Sequence, residues 1–185
     1  MFAIPLGQGE GADRAELRPL EPWQADEFLA HMDRARSGVD EWIGLAAAAT
    51  DLGSARALLQ SYADKRAADT GRLYGIWLDG TLVGGVLYRV FDARSGNCEI
   101  GCWLEPAGRR RGLVTAASRQ LIDWAFRVRG MHRVEWVVSA GNERSIAVAK
   151  RLGMTLDGVM RQSYPHNGVR HDVQVWSLLV TEWGR

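Results

Sequence analysis

The segment Arg109-Arg110-Arg111-Gly112-Leu113-Val114-Thr115 sets three guanidiniums and a glycine at the start of an amphipathic helix. Backbone N–H groups left unpaired at a helix start, the positive end of the helix dipole and the arginine forks together suit a phosphate. Groups able to move protons lie on both sides of this segment. Glu99 precedes it on a strand-like run; Ser145 and Tyr164 follow it, with Asn142 beside the serine. A carboxylate can take a proton, and a hydroxyl or phenol can give one. Cys98 and Cys102 offer less. On one strand face ~13 Å apart, they are too distant for a disulfide and lack zinc-ligand spacing and companions. Both read as small core residues, and no metal is expected.

Regular elements must hold these groups in place. Glu16 to Leu20 reads as a strand. Pro22 opens a helix with Phe28, Leu29 and Met32 on one stripe, stopped by Gly38. Asp51 caps a second helix, closed by Gly71. Strands over 72–78 and 81–91 meet at Asp79-Gly80, a hairpin signal, and Ser95-Gly96-Asn97 leads into the strand Cys98 to Leu104. The helix Thr115 to Arg129 stops at Gly130. Then come a strand over 133–139, a helix begun by Asn142 or Ser145, and two strands, 154–164 and 169–181, joined at Asn167-Gly168. The order β-α-α-β-β-β-α-β-α-β-β predicts a mixed α/β (α+β) fold of seven strands and four helices, not a doubly wound sheet.

At 185 residues, 46% apolar and 24% charged, the chain reads as one globular domain over 14–185 behind a Gly-rich flexible tail over 1–13. A net charge of +1 gives no global field for nucleic acid. No apolar run suits a bilayer and no signal peptide is evident, so no membrane partner and a cytoplasmic location are expected. The eight tryptophans read as core or interface anchors, compatible with a homodimer.

Three phosphate-binding loops can be compared with the arginine segment. A P-loop requires G-x-x-x-x-G-K-[ST], which is absent. A dinucleotide fingerprint requires G-x-G-x-x-G after a first strand, and the strand order excludes it. The acyl-coenzyme A loop [QR]-x-x-G-x-[GA] is met by Arg109 and Gly112 and departs at Val114. Further blocks follow in order: Glu99-Ile100-Gly101-Cys102-Trp103-Leu104, Asn142-Glu143-Arg144-Ser145, Leu152-Gly153-Met154, Leu156-Asp157-Gly158 and Asn167-Gly168-Val169-Arg170-His171-Asp172. With these blocks the span from Glu99 to Leu179 resembles the GNAT N-acetyltransferases, and within them the ribosomal-protein N-terminal acetyltransferases.

The resemblance implies a mostly antiparallel sheet with a splayed central pair of strands, and acetyl-CoA or another acyl-CoA as co-substrate. It implies that the backbone from Arg109 to Thr115, through Gly112, Leu113 and Val114, holds the pyrophosphate. Arg109, Arg110 and Arg111 would add charge toward the phosphates. Trp103 and Leu104 would pair with the pantetheine arm through their backbone, Asn142 would hydrogen-bond it, and Ser145 would reprotonate the leaving thiolate. Glu99 aligns with a glutamate that can serve as general base. Where the ribosomal enzymes carry a second glutamate, this chain has Tyr164, which could orient the acceptor or donate a hydrogen bond. Freeing an α-amine of pKa ~8 at pH 7 costs about 1.4 kcal/mol, and a lysine of pKa ~10.4 about 4.6 kcal/mol. With one placed carboxylate, a protein N-terminal α-amine or another low-pKa small amine is the favoured acceptor. Alternatives at this level are a catalytically weak acyl-CoA-binding or regulatory domain, and a donor such as succinyl-CoA.

Overall fold

A computed structural model describes residues 3–6, 14–39 and 42–184. Eight strands form one sheet, in the order β1-β2-β3-β4-β5-β6-β8-β7. They are β1 (Ile4–Pro5), β2 (Ala15–Pro19), β3 (Arg72–Leu78), β4 (Thr81–Asp92), β5 (Asn97–Leu104), β6 (Arg133–Ser139), β7 (Thr155–His166) and β8 (Val169–Leu179). Neighbours run antiparallel except β5 and β6. The extra strand arises where a loose tail was expected: Ile4 pairs with Leu17 and Pro5 with Glu16. Residues 1–2 and 7–13 of that tail lie outside the described residues.

The alternation of β5 sorts its side chains between two helical layers. Cys98 and Ile100 join a core with Leu113, Ala117 and Leu121 of α3 (Leu113–Asp123) and Val148 and Ala149 of α4 (Glu143–Arg151). Trp103 joins a second core with Phe28 and Met32 of α1 (Ala25–Val39) and Leu59 and Tyr62 of α2 (Leu52–Ala67). Glu99 and Gly101 share the Trp103 side, so the sheet carries Glu99 toward the α1–α2 layer.

The parallel pair decides where a ligand can go. β5 and β6 meet only at Asn97↔Arg133, Cys98↔Val134 and Glu99↔Glu135. β4 continues along β5 to Leu104, and β8 along β6 to Ser139. Ile100–Leu104 therefore keeps one edge without a strand partner, the template an extended ligand can pair with.

Helix ends differ from expectation in ways that have causes. α1 runs through Gly38, because glycine weakens a helix interior without forbidding it. α2 ends at Ala67, four residues before Gly71, with Ala68 donating back to Asp64 and Arg66 and Asp69 at φ 58. Its start is as expected: Asp51 accepts from Ser54 N at 2.8 Å. α3 begins at Leu113 rather than Thr115, and its last turn, Trp124–Val128, widens into a π-helix before Gly130 at φ 64. That turn sets Trp124 under the guanidiniums of Arg72 and Arg129, 4.7 and 5.1 Å from its ring.

Candidate active site

A groove of about 710 Å³ follows the free edge of β5. Its walls are Cys102, Trp103 and Leu104, the loop from Gly108 into α3, the start of α4, and Gly38, Val39, Trp42 and Ile43 at the end of α1. The loop is built for an anion. Arg110 sits at φ 63 and Gly112 at φ 72, and left-handed residues in a tight loop turn successive N–H groups toward one point. Gly112 is the N-cap of α3 and has no side chain to offer its first turn, so the N–H groups of Leu113, Val114 and Thr115 await an outside acceptor. A Cβ built on Gly112 meets nothing within 4 Å. The glycine thus takes its φ without strain and leaves the groove clear in front of it. Val114, which departs from the loop pattern, is buried in the α3 core. Arg110, Gly112 and Thr115 line the groove with Arg109, whose guanidinium lies against Gly38. Arg144 and Arg151 of α4 add charge there that the sequence reading left out.

A second cavity of about 440 Å³ holds Glu99 and Tyr164 together. It shares Trp42, Ile43, Cys102, Asn142 and Ser145 with the first, so the two meet at the serine. Glu99 is not a free carboxylate: Arg89 Nε and Nη2 donate to its Oε1 and Oε2 at 2.8 and 3.1 Å. That bond raises the Arg89 pKa further. Burial raises the Tyr62 phenol on the same wall, so it stays protonated at neutral pH. Tyr164 stacks on His166, with ring centroids 5.5 Å apart. Cys98 is core as expected, but Cys102 stands where the cavities join. Burial pushes its thiol up to about 12, which keeps it from acting as a nucleophile.

At the junction, Asn142 and Ser145 each have a fixed role in the fold. Asn142 caps α4, its Oδ1 accepting from Ser145 N at 3.1 Å, which leaves its amide N–H groups to donate. Trp136 Nε1 donates to Ser145 Oγ at 2.9 Å. An indole only donates, so the serine keeps its own proton to give. Trp42 leans across the junction, its ring 3.1 Å from where a Gly141 Cβ would stand. Loop residues carry no periodic signal, so nothing in the sequence marked this tryptophan among the eight.

Behind β5 runs a buried polar chain the sequence reading missed. Trp103 Nε1 donates to His31 Nε2 at 2.9 Å, and His31 Nδ1 meets Glu105 Oε2 at 3.0 Å. Because the indole must donate, His31 carries its proton on Nδ1 and gives it to the carboxylate. Arg34 Nε bonds the same oxygen at 3.2 Å. Desolvation lowers the His31 pKa, outweighing the pull of Glu105. The chain clips α1 to the end of β5, beside the loop that leads into α3. A histidine on the apolar stripe of Phe28 and Met32 was the available signal. Gly85 makes room for this arrangement: a Cβ there would stand 2.1 Å from the Trp103 ring.

Among the described residues no group of three or more His, Cys, Asp or Glu converges as a metal-ligand set. None of the helices among them is long and apolar enough to cross a membrane.

The model of the acetyltransferase (GNAT) domain matches residues 14–155. "Putative ribosomal N-acetyltransferase YdaF" of Bacillus subtilis is 31% identical over 172 residues, 90% of this chain and 92% of that protein. A crystal structure of a probable acetyltransferase superposes with TM-score 0.88 at 28% identity, covering 98% and 99% of the two chains. The RimL ribosomal L7/L12 α-N-protein acetyltransferase, solved with coenzyme A, shares the fold at TM-score 0.87 and 20% identity, over 96% and 98%. With its splayed strands, its uncapped helix start and most of its length matched, the chain belongs to the GNAT family of acetyltransferases, enzymes that carry an acyl group from coenzyme A to an amine.

Proposed function

We propose that this acyl-CoA-dependent N-acetyltransferase modifies the α-amine of a protein N-terminus, with acetyl-CoA as donor. The observation that carries the reading is the meeting of two cavities at Ser145, one ending at the uncapped start of α3 and the other holding Glu99. The N–H groups of Leu113 to Thr115 and the guanidiniums of Arg109 and Arg110 receive the phosphates, whereas Arg111, also expected there, is not among the residues lining the groove. The free edge of β5 at Trp103 and Leu104 pairs with the pantetheine arm, and Asn142 donates to it. The amine nitrogen forms its bond to the acyl carbon as the carbon–sulfur bond breaks, and backbone donors of β5 polarise the carbonyl. Ser145 gives its proton to the departing sulfur and regains one from solvent, which balances the proton the amine loses. The amine's proton leaves through water or Glu99, beside Tyr164. Buried Val114 supports full activity over the idle alternative, since its branches pack into the core.

The acceptor assignment rests on charge. Glu99 is the single carboxylate among the described residues of the second cavity, and Arg89 neutralises it. A polyamine gains little there. The ribosomal N-acetyltransferase of B. subtilis named above points the same way. Thiol release from acetyl-CoA is expected with a short peptide bearing a free N-terminus. It is not expected with a lysine-containing peptide blocked at its N-terminus, nor with spermidine. Turnover of the blocked peptide or of spermidine alone overturns the acceptor class; preference for succinyl-CoA overturns the donor.

Ser145→Ala is expected to lower kcat about 100-fold with little change in the KM for acetyl-CoA, the low end of general-acid effects because a thiolate is a fair leaving group. A matched rise in KM would assign the serine to binding instead. We also propose a cytoplasmic enzyme that forms homodimers through β7. Exposed Leu156, Val159 and Met160 on that edge strand, 42–50% accessible, support association, which sedimentation can read.

A further inference from the structure

The second cavity contains an arginine for which acyl transfer has no evident use. Arg89 is the extra residue of a bulge in β4: Tyr88 pairs with Ile100 and Val90 with Glu99, leaving Arg89 opposite no partner of its own. Bulges re-aim side chains and gather beside active sites. This one turns Arg89 onto Glu99, holding both carboxylate oxygens through Nε and Nη2. The two partners are unequal. The Glu99 side chain is 13% exposed and the Arg89 side chain 62% exposed. Arg89 therefore presents its remaining face to whatever enters.

The rest of the wall sharpens the consequence. Tyr62, Tyr164, Trp42, Ile43, Leu45 and Leu87 line it, and among its described residues no other Asp, Glu, Lys or Arg does. The described part of the wall is net neutral and largely apolar. A bare ammonium entering it leaves water for a carboxylate whose charge Arg89 already pairs. An amine that brings its own carboxylate meets different terms. Its carboxylate takes the open face of Arg89, and the ammonium takes the remaining lone pairs of Glu99. Charges then alternate around the site, and no buried charge is left unpaired.

We propose that Arg89 is a specificity-determining residue that selects acceptors with a carboxylate next to the α-amine, namely N-terminal peptides with Asp or Glu at the second position. The inference rests on the α-amine reading given above. Arg89 and Glu99 touch, so the substrate's two charges must lie within about one residue's length, ~3.5 Å of backbone. A second-position side chain satisfies that reach.

The test compares two C-terminally amidated hexapeptides, identical except for Asp or Asn at the second position, with acetyl-CoA and thiol release as readout. For the wild-type enzyme kcat/KM is expected to favour the Asp peptide about tenfold, the scale of one well-placed ion pair. Arg89→Gln should bring the ratio to about one and leave the KM for acetyl-CoA unmoved. Arg89→Lys should keep part of the preference, because the charge survives and the fork does not. A wild-type ratio near one, or a preference that persists in Arg89→Gln, overturns the proposal. So does faster turnover of free serine than of either peptide, since the α-carboxylate would then be the recognised group. Equal turnover of both peptides removes selection by Arg89 and leaves the α-amine reading standing. No turnover of either peptide by enzyme that binds acetyl-CoA removes both.

Discussion

Gly112→Asp is expected to abolish acetyl-CoA binding while the protein stays folded. The two halves of that result have separate causes. Gly112 sits at φ 72, where a side chain costs about 1–2 kcal/mol, least for Asp and Asn. A Cβ there meets no protein atom within 4 Å, so there is no clash to add. The left-handed N-cap is not the extended conformation from which a capping Asp bonds its helix, so the strain stands as the whole cost. The carboxylate then sets a negative charge in front of the N–H groups of Leu113 to Thr115, where the proposed phosphate must come. Calorimetry should show at least a 100-fold loss of affinity, about 2.7 kcal/mol, with a thermal midpoint lowered by only a few degrees. Gly112→Ala isolates the strain and should weaken binding less than tenfold. Near-normal affinity in Gly112→Asp would move the phosphate site away from α3.

His31→Ala should have the largest effect on stability, about 3–5 kcal/mol. The substitution opens a hole in the α1 core and strands the Trp103 indole N–H without an acceptor. It also takes one of two partners from the buried Glu105 carboxylate, leaving Arg34 alone to hold it. Each buried polar group left unpaired costs about 1–3 kcal/mol. Against a total of about 5–15 kcal/mol this is a severe loss, readable as a lower urea midpoint with an unchanged slope. The wild-type residue also makes a signed pH prediction. Its folded pKa lies below its unfolded value, with burial as the dominant cause. The unfolded chain therefore takes up the proton first as pH falls. The stabilisation is complete above about pH 6.5 and is lost progressively below it. Wild-type stability should drop more between about pH 7.5 and about pH 5.5 than that of His31→Gln. Equal slopes would mean that His31 is not held neutral in the fold.

Much of the site could be read along the chain because it is made of local geometry. A glycine before an amphipathic helix, an asparagine at a cap and Asp-Gly between strand-like runs each act on their own neighbours. Arg109 to Thr115, Asn142 and Ser145 therefore stand where their spacing placed them. Glu99, Gly101 and Trp103 share a face for the same reason, since alternation along a strand is a property of the backbone. The misses were of another kind. The strand at Ile4–Pro5, two residues long, is created by its partner β2 and has no pattern of its own. Arg89 lies unmarked in the strand over 81–91 until the register shift opposite Glu99 is seen.

The chain by itself determined which elements form, which faces they bury and that a glycine behind three arginines opens a helix. Those outcomes depend on neighbours a few residues apart, and period and capping report them directly. Only the tertiary structure decided that Glu99 would be held by Arg89, that Trp103, His31, Glu105 and Arg34 would form one buried chain, and that two cavities would meet at Ser145. Such pairings join residues 10 to 74 positions apart, and no local energy encodes them. They appear when the twist of the sheet, one bulge and the parting of β5 from β6 bring distant side chains within hydrogen-bond reach.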